Sequence, residues 1–189
     1  MGYATNAGNF LIETLVGLVL LVIMLRFILQ LVRADFRNPV SQFIVKVTNP
    51  MLVPMRRFIP GVAGMDMSSI VLLILIQYAE LYLIVLINGA QFFALGMFVI
   101  ALGKLIGLAI TVLTFSILIQ VVLSWVNPGA YNPVIGLLYS INEPVLGRAR
   151  KIIPPIHGFD LSPIVAMIFL QLLSIIIVAP ITDFGASLR

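Results

Sequence analysis

Acidic and amide side chains are few in this chain, and their settings decide what chemistry is open to them. Asp66 and Asp160 occupy matching Gly-x-Asp-x-Ser segments, Gly64 to Ser68 and Gly158 to Ser162, each just ahead of a long apolar run. Two aspartates beside a bilayer raise the idea of an intramembrane aspartyl protease, whose two carboxyls must share a proton inside the membrane. A carboxylate at a helix N-terminus is instead held ionised by the unpaired N–H groups there. Asp66, Ser68, Asp160 and Ser162 therefore read as helix caps, and Pro163 suits the first turn that follows. Glu80 lies deep in an apolar run, opposite Ser174 in the matching position, so it must be neutral, paired or in contact with water. A packing pair is the first reading, with a proton or ion site and an interface to another membrane protein as the alternatives. Arg26 is a candidate partner, although its depth fits Gln77 better. Gln77 and Gln171 match each other and are expected to make hydrogen bonds between helices. The single His157 has no companion ligand and cysteine is absent. No hydrolase triad, zincin motif, phosphate loop or dinucleotide fingerprint occurs. The reading is non-enzymatic, with no cofactor and no metal.

These residues need elements to hold them, and composition says what kind. Of 189 residues, 61% are apolar and 10% charged, with mean hydropathy +1.18, more apolar surface than one soluble core can hide. The chain belongs in a bilayer. Apolar runs of about 20 residues cross a hydrocarbon core of about 30 Å, which predicts spans at residues 10–32, Ser68–Asn88, Lys104–Val126 and Ser162 to Ile181. The net charge of +4 sits at the ends of those runs, where lipid headgroups and orientation explain it, so nucleic acid is not expected as a partner.

The chain is also duplicated. A shift of 94 residues places Asn38, Pro39, Pro50, Arg56, Pro60, Gly64, Asp66, Ser68 and Gln77 on identical residues from Asn132 to Gln171. This divides it into a first repeat (1–88), a connection (89–103) and a second repeat (104–189). Gln91 to Gly103 is apolar but too short to cross alone. Arg33, Arg37, Lys46, Arg56 and Arg57 follow the first span, and Arg148, Arg150 and Lys151 the third, against Lys104 alone where the connection meets the third span. That bias predicts parallel repeats, with both basic loops cytoplasmic and the termini periplasmic. The fold expected is an all-α membrane protein of four transmembrane helices in two parallel helix-loop-helix repeats.

Each loop holds more than a connector needs. Asn38 and Asn132 are N-cap residues, and Pro39 and Pro133 suit the first helical position. Apolar residues then recur at helical spacing. Pro50 and Pro144 are expected to end one short amphipathic helix and begin another, giving a proline-cornered pair in each loop, interfacial or re-entrant. The basic pairs Arg56, Arg57 and Arg150, Lys151 set orientation and are candidates for anionic headgroups.

The doubled pattern of Asn-Pro, second Pro, basic pair, third Pro and Gly-x-Asp-x-Ser resembles the YggT family of bacterial inner-membrane proteins, over nearly the full length. Arg33 to Phe36 and Thr48 to Pro50 share in the resemblance. It implies a small polytopic membrane protein associated with osmotic stress and membrane organisation, and supplies no catalytic residues. The second copy departs from it where Gly129 replaces Asp35 and Glu143 replaces Asn49.

Two functional classes follow. One is a membrane scaffold or assembly partner, whose loops meet anionic lipids and an unidentified membrane protein or a second copy of the chain. The other is a small oligomeric transporter or channel that passes ions near Glu80.

Overall fold

The computed structural model describes residues 2–62, 64–126, 132–154 and 160–188; Gly129, His157 and Gly158, singled out above, lie outside them. Helix α1 (Tyr3–Leu31) is the first span. It ends where Arg33 takes a left-handed φ of 54°, with the amides of Arg33 and Ala34 returning to the carbonyls of Gln30 and Leu29. That closure satisfies the last carbonyls of the helix, a place where glycine is the usual residue. Loop helix α2 (Pro39–Arg56) follows, then span α3 (Met67–Asn88), span α4 (Ala94–Val126) and loop helix α5 (Pro133–Ile152). The fourth span is α6 (Ser162–Leu173), a π-helical stretch (Ser174–Val178) and α7 (Ala179–Ser187). These last three form 26 continuous residues, so among the described residues four helices are long and apolar enough to cross a membrane. The π-helical widening falls directly ahead of Pro180, whose missing N–H leaves a carbonyl one turn back without its regular donor.

Two sequence expectations change. Each loop carries one continuous helix rather than two with a corner: Pro50 and Pro54 lie inside α2, and Pro144 inside α5. An internal proline costs about 3 kcal/mol in an isolated helix. Here packing offsets it, because Ile44, Thr48 and Leu52 of α2, and Ile141 and Leu146 of α5, are buried. The turn before Pro50 is braced as well, by the Thr48 hydroxyl on the Ile44 carbonyl (2.7 Å) and by Arg26 on that of Val45 (3.2 Å).

The second change concerns 91–103, which is no separate connection. From Ala94 onward it forms the first turns of α4, a helix of 33 residues. Glycines make this possible. A Cβ on Gly96 would lie 2.6 Å from the Gly185 carbonyl oxygen, and one on Gly103 2.8 Å from Cγ2 of Thr182, so α4 and α7 meet backbone to backbone. Small residues permit such approach between membrane helices.

Two core clusters form, the larger one built from the first repeat together with Leu105, Val112, Leu137 and Ile141 of the second, and corresponding residues of the two repeats are buried in them. Ile23, Leu52 and Leu72 pack in the first, and Ile117, Leu146 and Ala166, each 94 residues on, in the second. The two units pack along α3 and α4, and they also touch at the loop helices, where the Asn38 side-chain amide donates to the Pro133 carbonyl at 2.7 Å. Both loops therefore lie at the same end of the bundle, the arrangement that parallel repeats require.

Candidate functional site

The loop helices start as their sequences dictate: the Asn38 side chain accepts from the amide of Val40, and that of Asn132 from Val134, both at 2.9 Å. Packing then turns Thr48 and Asn49 of α2 toward α1. There the buried Arg26, only 3% exposed, donates through Nη1 to the Thr48 hydroxyl, to Oδ1 of Asn49 (2.9 Å) and to the Val45 carbonyl (3.2 Å). Arg26 is thus the partner of α2 and not of Glu80. Together with Gln30, Gln42, Lys46, Asn49, Arg56 and Asp66 it lines a cavity of about 900 Å³.

Arg56, at the end of α2, forms an ion pair with Asp66, whose carboxylate also accepts from the Ser69 hydroxyl at 2.8 Å. Asp66 therefore holds the loop corner instead of capping α3 with its side chain. The same offset recurs in the second repeat, where Nε of Arg150 lies 3.0 Å from Asp160 and Nη1 lies 2.9 Å from Glu143. There the aspartate also accepts from the Ser162 amide at 2.9 Å. Ser68 donates to the Ile59 carbonyl at 2.9 Å, while the buried Ser162 hydroxyl has no hydrogen-bond partner among the described residues. The Arg-to-Asp pairing was missed in the sequence, though its signal was present: an arginine and an aspartate ten residues apart, repeated in both copies.

Burial works against the charge of Asp66, but the hydrogen bonds from Arg56 and Ser69, with the Arg56 charge behind them, outweigh it and hold the carboxyl below the ordinary value of 3.8. A depressed folded-state pKa gives stability that is present above the unfolded value and is lost as pH falls through the folded one. The corner between α2 and α3 is accordingly expected to loosen only below about pH 3.8. Hydrogen exchange of residues 56–69 checks this: the acid loss should be present in the parent and missing from Asp66→Asn.

Deeper in the spans, Glu80 is 5% exposed; it accepts from Nε2 of Gln77 at 2.9 Å and faces Nζ of Lys104 at 3.4 Å. The Gln77 bond is internal to α3, not between helices. The ion pair joins α3 to α4, so the partner of Glu80 is Lys104, the residue that reads as the start of the third span and lies well inside α4. Gln171 lies exposed on the bundle surface and makes no hydrogen bond to the described residues. In the place that Arg26 holds in the first repeat, Gln120 accepts from Asn142 at 2.7 Å, and Asn142 accepts from Ser116. Of the basic pairs, Arg57 and Lys151 stay exposed, whereas Arg56 and Arg150 are engaged within the protein.

The family model described as CCB3/YggT matches the chain twice, over residues 5–87 and 99–181. An uncharacterised protein of Pseudomonas aeruginosa is 45% identical over 175 residues, covering 92% of this chain and 89% of the relative. The uncharacterised protein YggT of Escherichia coli K12 is 31% identical over 173 residues, 89% of this chain and 88% of its own. A chloroplast protein of Arabidopsis thaliana, CCB3, whose name refers to cofactor assembly, is 35% identical over 83 residues, 43% of this chain and 47% of its own. No solved structure matches the chain.

Proposed function

Since the chain belongs to the CCB3/YggT family of membrane proteins, we propose that it works as a non-enzymatic scaffold or assembly partner in a bacterial inner membrane. Its loop helices lie on the cytoplasmic side and its termini in the periplasm. The observation that carries this is the pair of loop helices gathered at one end of the bundle, α2 turning an apolar stripe of Phe43, Val47 and Met51 outward. An exposed apolar stripe beside exposed cations suits headgroups or the face of a membrane partner. The excess of Lys and Arg at this end supports its cytoplasmic placement. The chloroplast relative's name, which refers to assembly, agrees with a supporting role, and the resemblance makes osmotic-stress tolerance the phenotype to examine.

The exposed cations are the ones to change. Arg57→Gln combined with Lys151→Gln should weaken attachment to anionic membrane by about 1 kcal/mol per charge, whereas adding Arg56 to the set would also break the corner with Asp66. Co-purifying proteins and phosphatidylglycerol are then measured at equal membrane abundance, along with growth in high osmolyte. Unchanged retention and growth in this variant and in Phe43→Ser, Val47→Ser would refute the scaffold reading. The Glu80, Gln77 and Lys104 cluster supports the second reading, a small transporter or channel. It gains if Glu80→Gln alone abolishes growth in osmolyte while abundance stays normal.

A further inference from the structure

The duplication supplies an internal control for the first-repeat cavity. Its walls carry three cations, Arg26, Lys46 and Arg56, against one carboxylate, Asp66. Positions 94 residues on hold Gln120, Ser140, Arg150 and Asp160, and Glu143 stands where the cavity has Asn49. The second repeat therefore has one cation between two carboxylates, and its Gln120 is closed off on Asn142. Two surplus positive charges are particular to the first.

Arg26 is the costly one. It is 3% exposed, yet no carboxylate among the described residues lies within ion-pair distance, and all its hydrogen bonds run through Nη1. Nε and Nη2, the rest of the guanidinium fork, make none to the described residues, and the side chain lines the cavity. Neither nitrogen is among the side-chain atoms shut away from solvent without a partner, so the unused donors are reachable from the cavity that the side chain lines, and an anion bound there would compensate a charge that burial penalises. The planar fork fits two oxygens of a phosphate group, and the cavity volume of about 900 Å³ is within the usual range for bound small molecules.

We propose that the cavity between α1, α2 and the start of α3 binds a phosphate-bearing anion. Arg26 is its buried anchor, Arg56 and Lys46 flank it, and Asn49 is the neutral neighbour that leaves room for negative charge. The proposal deepens the headgroup reading of the loop helices by narrowing it to one site in one repeat. The anion is either the headgroup of an anionic phospholipid or a soluble phosphate, and both offer the same oxygens.

Asn49→Glu is the decisive variant, because it installs the carboxylate of the second repeat while leaving Arg26 in place. Lys46→Ser copies the second repeat at the mouth. The full chain is purified in mild detergent and placed in nanodiscs of phosphatidylcholine with or without phosphatidylglycerol, and retained lipid is measured by mass spectrometry. In parallel, inorganic phosphate is titrated against the melting temperature in detergent. The parent should bind saturably in one arm, and Asn49→Glu should bind about tenfold more weakly. Selective retention of phosphatidylglycerol without a response to phosphate assigns a headgroup; a saturable melting shift with phosphate assigns a soluble anion. If neither arm saturates, or if Asn49→Glu and Lys46→Ser bind as the parent does, the site does not exist. That failure leaves the scaffold reading standing as long as Arg57→Gln, Lys151→Gln still loses retention or growth.

Discussion

Replacing Gly185 with leucine is expected to be among the most damaging single changes in the chain, although the residue touches nothing charged. A Cβ there would lie 2.8 Å from Cγ1 of Ile100, 2.9 Å from the Gly96 carbonyl oxygen and 3.0 Å from the Ile100 amide nitrogen. Two of these neighbours are backbone atoms of α4, which a rotamer change cannot move aside. The helices must separate along the seam that also contains Gly103 against Thr182. Overpacking of this kind costs about 3 kcal/mol or more when the backbone has to shift. Thermal unfolding in detergent should show it. Gly17→Ala serves as the control, since its Cβ would meet nothing within 4 Å and alanine is the better helix former by about 1 kcal/mol. Equal melting of Gly185→Leu and parent would mean that α4 and α7 are not in close contact, and the 33-residue reach of α4 would lose its explanation.

The second large effect is expected at Glu80. Alanine there removes the acceptor of Gln77 and leaves Lys104 facing α3 with no counter-charge. Glu80 is buried but the Lys104 side chain is 39% exposed, so breaking this pair is expected to cost less than the roughly 3 kcal/mol of a fully buried one, while replacing both sides by apolar residues is often neutral. Glu80→Ala should thus melt below the parent, and Glu80→Leu with Lys104→Leu should recover most of the loss. The double variant also separates the functional readings. If it restores stability and growth in osmolyte, the pair only joins α3 to α4. Restored stability with growth still lost would place ion handling at this pair and favour the transporter.

The legible part of this protein was what its local chemistry and internal repetition impose. Mean hydropathy and run length placed four spans, and α3 begins and ends within a residue of its sequence reading because Asp66 and Gly89 bound it on either side. Asn38 and Asn132 announced the starts of α2 and α5, since a cap acts on amides only two residues away. The repeat offset gave which residues correspond, the ordered motif gave the family resemblance, and the Lys and Arg bias gave the shared end of the two loops.

Prolines misled where local propensity was overruled. Pro50 and Pro144 have helix-breaking chemistry, but buried Leu52 and Leu146 just beyond them outweigh it through packing. Length misled at 91–103, which is too short to cross alone but continues into the third span; in the bundle the missing side chains of Gly96 and Gly103 let α4 lie directly on α7.

Partnership was the part no local reading could supply. Sequence by itself determined that Arg26, Glu80 and Gln77 are polar groups at membrane depth needing partners, because hydrocarbon offers none. Only the tertiary structure decided that Arg26 meets Thr48 and Asn49, that Glu80 meets Lys104, and that Arg56 turns inward to Asp66. Capping and span length depend on neighbours along the chain, where distances are set by covalent geometry. Which side chains meet across helices depends on how each helix is rotated and how closely it approaches the next, and those are set by the summed packing of many residues, glycines among them.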